Sequence, residues 1–263
     1  MAGAYSHYFI AKAAIDRLSL QQKAIILQYP SLYFFGAQGA DFCFFYPVFK
    51  SFRKVENFGR YLHNRGGYGA FCVCKAFSAD EMLHAYTLGY VTHYAADTVF
   101  HPFVYAQSGK SPLRHSRVEA ALDSYFADKA QPNDPYRKFF GKKPPDAQIN
   151  ELFLLYAAIA AKAGFPPLER QAFFRAVRLF NAYLPLPNAV FCKENKLRER
   201  LANTSCEPWK HPQTGVEYTD GANELALRSV RLSAMLIEQF ERALKNRTPL
   251  PRDLFAKNYL SGL

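Results

Sequence analysis

The sequence predicts an all-α protein, a compact multi-helix bundle, on three observations. Apolar residues recur at spacings of three and four along most of the chain, the period that lays them on one face of an α-helix. No segment of useful length alternates apolar with polar residues as a half-buried strand would, and no internal repeat is visible. Of the 263 residues 49% are hydrophobic and 16% aromatic, with 24 Phe and 17 Tyr, which suits a thick helical core lined with rings. The length supports one large core or two small ones, and the expectation is a single helical domain over residues 1–263.

The elements follow in order. Residues 7–28 carry Phe9, Ile10, Ala13, Ala14, Leu18, Ile25 and Ile26 on a helical period, and Pro30 is expected to end that helix. From Phe34 to Gly69 the chain contains Gly36, Gly39, Gly59, Gly66 and Gly67, and reads as a loop-rich stretch turning tightly around Asp41 and His63. A long helix is expected from about Ala79 to Val104, with Pro102 placed to kink or close it. Another runs from about Leu113 to Asp128, and the Pro-, Lys- and Asp-rich segment Gln131–Pro145 is an exposed connection. Helices at about 147–163, 168–184 and 190–202, a loop at Asn203–Thr219 and a last helix at about 220–245 complete the chain.

No apolar run reaches the roughly 18 residues of a membrane span. The segment Met1–His7 has neither a basic region nor a long apolar one, so no signal peptide is expected. Five cysteines (Cys43, Cys72, Cys74, Cys192 and Cys206) are odd in number and irregularly spaced, which fits buried small hydrophobes in a reducing cytoplasm. A net charge of +11 favours an anionic partner: a phosphate ester, nucleic acid or an acidic membrane surface. The basic residues are dispersed, with modest clusters at Arg137-Lys138, Lys142-Lys143 and Lys193 to Arg200, each of which also reads as a solvated face.

The chemistry lies in an ordered series of donors: His7, Asp41, His63, then His93, Asp97 and His101 at intervals of four, then His115 and Glu119 four apart. On a helix such intervals place donors on one face, about one turn (~6 Å) from each other. A lone histidine on an apolar helix is more often a hydrogen-bonded core residue, and an isolated His–Glu pair is a common surface contact. Here the surroundings, from Tyr86 through Ala96 and again at Val99, Phe100 and Phe103, are nearly free of charge. Buried ionisable groups must be paired or hold a metal. Imidazole nitrogen and carboxylate oxygen suit zinc, and eight donors exceed the needs of one four-coordinate ion. His84 and His211 stand outside the series and read as structural.

These residues resemble the zinc-dependent phospholipase C family, in the form of its intracellular bacterial members, and its relatives the secreted fungal single-strand nucleases. The segments that carry the resemblance are Ala4-Tyr5-Ser6-His7-Tyr8-Phe9, Gly36-Ala37-Gln38-Gly39-Ala40-Asp41-Phe42 and Tyr61-Leu62-His63. They continue with Leu88 through Asp97, His101-Pro102, Arg114-His115-Ser116-Arg117-Val118-Glu119 and Glu207-Pro208-Trp209-Lys210-His211-Pro212. The resemblance implies a helical bundle with two to three zinc ions at the base of a cleft. Asp41, His63, His93 and Asp97 would hold the first ion, and His7 with the bridging Asp97 the second. His101, His115 and Glu119 would hold the third. Asp41 would serve as both ligand and proton acceptor, and Tyr8, Tyr94 and Thr92 are candidates to orient the imidazoles.

The sequence departs from the family pattern in three places. No Trp stands at the N-terminus to complete the His7 site, Asp97 and His101 are only one turn apart, and Arg60 replaces the aromatic residue that faces choline. Arg60 argues for substrates with extra negative charge. The implied activity is zinc-dependent hydrolysis of a phosphodiester such as a phospholipid. The alternatives are a nuclease acting on single strands and a non-catalytic zinc-binding protein.

Overall fold

Ser19 divides the first helical segment in two. In a computed structural model, which describes residues 3–45, 53–129, 133–184, 197, 201 and 208–263, α1 spans Ala4–Ile15 and α2 spans Leu20–Gln28. The single helix expected over 7–28 is therefore a pair. Ser19 Oγ accepts the Gln22 backbone N–H at 3.3 Å while the Ser19 N–H donates to Gln22 Oε1 at 2.8 Å, a reciprocal cap that starts α2. Pro30 begins a helix rather than ending one. It occupies the first turn of α3 (Pro30–Gly36), where its missing N–H costs nothing.

The stretch after α3 is also more helical than its glycines suggest. A 3-10 turn at Asp41–Phe44 leads on to α4 (Arg53–Asn64) and α5 (Tyr68–Phe77). His63 thus sits in the last turn of a helix, not in a loop.

The long helix α6 covers Glu81–Ser108 and continues through Pro102. Asp80 caps it, its carboxylate accepting the Met82 and Leu83 N–H groups at 2.8 and 3.1 Å. Then come α7 (Pro112–Asp128), α8 (Asp146–Lys162) and α9 (Arg170–Tyr183). The helix expected at 190–202 lies, but for residues 197 and 201, outside the described residues. A small antiparallel hairpin pairs β1 (Trp209–Lys210) with β2 (Glu217–Tyr218), strands too short to show a period. Helices α10 (Ala222–Lys245) and α11 (Arg252–Phe255) follow. With eleven α-helices and one two-residue ladder among the described residues, the class is all-α.

Helix α6 is the axis of the bundle, buried nearly all round from Leu83 to Val104. One apolar cluster gathers Tyr33, Phe42, Phe58, Tyr86, Tyr156 and Phe173 on one side of it. A second, with Phe100, Phe103, Val118, Phe126, Trp209 and Leu225, joins α6 to α7, the hairpin and α10.

Two glycines bring α3 against α6. A Cβ on Gly36 would lie 2.1 Å from the Tyr86 carbonyl oxygen, and one on Gly89 would lie 2.0 Å from that of Tyr33. Backbone meets backbone on both sides, so neither position has room to yield. Gly89→Ala is expected to destabilise the fold by about 1–3 kcal/mol or more, read as a lower urea midpoint at unchanged slope. An unchanged midpoint would mean that the two helices separate without cost.

Candidate metal centre

Four helices and one turn deliver the eight donors. Helix α6 presents His93, Asp97 and His101 on one stripe, α1 brings His7, α4 brings His63, and α7 brings His115 and Glu119. Asp41 opens the 3-10 turn after α3. That turn reaches α6 because Gly39 adopts φ 55°, and a Cβ there would fall 2.1 Å from the His93 ring.

Asp123, one turn beyond Glu119 on α7, fixes α1. Its carboxylate accepts the Tyr5 N–H at 3.2 Å, the Ser6 N–H at 3.0 Å and the Ser6 hydroxyl at 2.9 Å, which sets the register of His7. The spacing His115, Glu119, Asp123 extends the same stripe, so this residue had a signal in the sequence.

The donors converge in three groups, the first two sharing His93: Asp41, His63 and His93; His7, His93 and Asp97; and His101, His115 and Glu119. Within each group the ligand atoms lie within 4.8 Å of one another. The third group has the membership expected from the sequence. In the other two His93, and not Asp97 as expected, is the common member; Asp97 groups with His7 and His93 and only approaches His63. Its Oδ2 is 3.3 Å from His93 Nε2 and 3.8 Å from His63 Nε2, while its Oδ1 is 3.4 Å from His7 Nε2 and 3.5 Å from His101 Nδ1. His115 Nε2 lies 2.8 Å from Glu119 Oε1.

The hydrogen bonding in this cluster is incomplete. Both ring nitrogens of His7 and of His93, both oxygens of Asp97 and Nδ1 of His101 are buried without a hydrogen-bond partner among the described residues. Each such group would cost about 1–3 kcal/mol if nothing else satisfied it. His63 donates its Nδ1–H to the Gly59 carbonyl at 2.8 Å, so in the neutral ring the Nε2 lone pair faces Asp41 Oδ1 at 3.1 Å. With Nδ1–H already committed, that approach needs either a proton on Nε2, which makes it a hydrogen bond, or a metal ion between the two atoms. The donor chemistry, imidazole nitrogen and carboxylate oxygen only, fits zinc.

Burial shapes the proton affinities. It lowers the His7 imidazole to about 4 against the opposing pull of Asp41, and it drives His93 and His101 well below the usual histidine range. These rings are neutral at physiological pH, the form that binds metal. Burial and the nearby Asp41 charge push the Asp97 carboxyl well above the usual range, the sign expected of an acid awaiting a positive neighbour. Burial would raise Asp41 as well, but the His63 hydrogen bond and the surrounding imidazoles outweigh it, and Asp41 stays below the usual carboxylate range.

A cleft of about 150 Å³ leads to this cluster, with Asp41 and Glu119 in its lining. Its walls include Tyr5, Phe45, Phe180 and Tyr183, with Ser116 as a polar contact. No sequence pattern separates these aromatics from core residues. Arg60 is not among the lining residues. Its guanidinium makes hydrogen bonds of 3.0 and 2.6 Å to Glu56 Oε1, which pairs the charge that the sequence assigned to substrate selection.

The proposed orienting residues also serve elsewhere. Tyr8 donates to Asp134 at 2.7 Å, Tyr94 to the Leu254 carbonyl at 3.1 Å, and Thr92 to the Gly89 carbonyl at 2.7 Å. His84 pairs with Glu241 at 2.5 Å, and His211 bridges the Ser261 carbonyl and the 213–214 turn, so both are structural. Cys43 and Cys74 are buried and Cys72 half-buried, as small hydrophobes, while Cys192 and Cys206 lie outside the described residues. Among the described residues, no helix is long and apolar enough to cross a membrane.

No curated protein and no solved structure is significantly similar to the chain. The family described as zinc dependent phospholipase C matches residues 6–165, more than half of the chain and the whole donor series from His7 to Glu119. The chain belongs to the zinc-dependent phospholipase C family.

Proposed function

We propose that the chain hydrolyses a phosphodiester, with a phospholipid or a similar ester entering the aromatic cleft and reacting at its floor. One observation carries the proposal: Asp41 and Glu119 line a cleft, and directly behind them stand buried imidazole and carboxylate donors without hydrogen-bond partners, with His7 Nε2 4.0 Å from Asp41 and His101 Nε2 3.8 Å from Glu119. In this account Asp41, His63, His93 and Asp97 would hold one zinc, His7 and Asp97 a second, and His101, His115 and Glu119 a third. Bound zinc supplies Lewis-acid chemistry, activating water and neutralising phosphoryl charge.

The protein's own groups do the rest. Asp41 lines the cleft and is ionised at neutral pH, so it can accept a hydrogen bond from an attacking water and orient it, the position from which a proton acceptor would act. The Gly59 carbonyl fixes the His63 tautomer. Asp97 faces two donor groups with its two oxygens, tying their positions together. Tyr5, Phe45, Phe180 and Tyr183 hold the apolar part of the ester and exclude water.

A nuclease is the second reading. Arg137 lies over the Tyr5 ring, 4.5 Å from its centroid, and a cation beside an aromatic wall suits a stacked base and its phosphate.

The test is a panel of an activated bis-aryl phosphodiester, choline and anionic phospholipids, and single-stranded DNA. The activated diester should be cleaved, with activity lost on chelation and restored by zinc. Tyr183→Ala should raise KM for the preferred natural ester several-fold with little change in kcat. Preference for single-stranded DNA over every lipid would select the nuclease. Failure on all diesters with zinc fully bound would favour a non-catalytic metal-binding protein.

A further inference from the structure

Of the two buried imidazoles grouped with Asp41, only His63 has a hydrogen bond that fixes its ring. His93 has no hydrogen-bond partner on either nitrogen among the described residues, so contact alone holds its orientation. Metal-binding histidines ordinarily use the second nitrogen for that purpose. The rings around His93 are His7, His63, Tyr90 and Tyr259. Tyr259 is the one that comes from far along the chain, outside the family-matched segment 6–165. It is fully buried, with its ring centroid 5.3 Å from His63 and 6.1 Å from His93. Its hydroxyl donates to that of Tyr90 at 3.2 Å, and its ring meets Tyr94 edge-on at 4.9 Å.

The segment that carries Tyr259 is tied down on both sides. Asn258 Nδ2 donates at 2.9 Å to the carbonyl of Asn64, the last residue of α4 and the neighbour of His63. That carbonyl is one of those a helix leaves without a partner at its end. Asn258 Oδ1 accepts the Leu260 and Ser261 N–H groups at 2.8 and 3.1 Å. The Ser261 carbonyl accepts His211 Nε2–H at 3.0 Å, a tautomer fixed because His211 Nδ1 accepts from the Gln213 and Thr214 backbone. Gly262 packs on the Thr98 carbonyl of α6, which lies four residues before Pro102 and so lacks its helical N–H donor.

We propose that Tyr259, held in place by Asn258, is a positioning residue that sets the rings of His63 and His93 for metal binding. The proposal rests on the metal reading of the cluster. It assigns a role in the site to a part of the chain beyond the family-matched segment. The contact is a wedge: a planar ring against two imidazoles, with the hydroxyl serving only as an anchor to Tyr90.

The test is zinc affinity by chelator competition, with site occupancies from anomalous diffraction at limiting zinc, on the full chain. Tyr259→Leu should weaken the group containing Asp41, His63 and His93 about tenfold or more and leave the group of His101, His115 and Glu119 occupied. Tyr259→Phe, which keeps the ring, should retain wild-type affinity. Asn258→Ala, at a partly exposed position, should weaken the same group if Tyr259→Leu fails to fold. Wild-type affinity in a folded Tyr259→Leu or Asn258→Ala protein, or equal losses at both groups, would overturn the proposal and leave the metal reading standing. A wild-type protein that takes up no zinc would overturn the metal reading, and this role with it.

Discussion

Asp97→Asn is expected to strip the first two donor groups of metal and to reduce phosphodiester turnover by about three orders of magnitude. The carboxamide keeps the shape of the side chain, so packing survives. What disappears is the charge of a carboxylate that reaches donors of both groups. Asp97 is buried, with one oxygen toward His93 and His63 and the other toward His7 and His101. The amide also brings an N–H donor into a ring of nitrogens that must act as acceptors. His84→Ala, at a histidine paired with Glu241 outside the donor series, should leave metal content unchanged. Full metal content and activity in Asp97→Asn would show that Asp97 bridges nothing.

Metal-free protein is expected to lose stability as pH falls from about 6.5 toward 4. The window follows from the imidazoles. His7 is lowered by burial from 6.5 to about 4, and burial drives His93 and His101 well below 6.5. Between those values the unfolded chain binds protons that the folded one refuses, so stability is full above 6.5 and declines below it. His7 alone contributes about 3 kcal/mol. Asp97 acts in the opposite direction, because its raised affinity lets the folded state bind a proton first. Asp41, held low, adds to the loss only below 3.8.

Zinc requires the same neutral imidazoles and should leave over the same range. At neutral pH, zinc at a thousand times its Kd adds about 4 kcal/mol, so chelation should lower Tm by roughly 10 °C. Thermal melts with and without chelator at several pH values read both effects. A Tm indifferent to chelator and to pH would exclude a buried donor cluster bound to metal.

The site was more legible in the sequence than the helices around it. A spacing of four residues carries geometric information by itself, so His93, Asp97 and His101 could be placed on one face, as could His115 and Glu119, before any fold was known. His7, Asp41 and His63 stand in the same ordered series, but no spacing ties them to one face, and only the family resemblance assigns them to particular ions, because they arrive from separate elements. In the sequence His63 reads as a loop residue because Gly59, Gly66 and Gly67 outweigh the amphipathic period of α4. Ser19 and Gln22 spell a capping box that a uniform apolar period conceals, and Pro30 reads as a stop because a proline that ends one helix and a proline in the first turn of the next look the same in sequence. Tyr5, Phe45, Phe180 and Tyr183 could not be told from core rings. What distinguishes them is that they face a cleft, and composition does not encode that.

The most direct measurement of the central claim is anomalous diffraction at the zinc edge, on protein purified without chelator. At least two ions per chain are expected. One should lie among Asp41, His63, His93 and Asp97 and another among His101, His115 and Glu119, with donor distances of about 2.0–2.2 Å. Less than one zinc per chain, or ions bound elsewhere with His101, His115 and Glu119 turned to different faces, would contradict it.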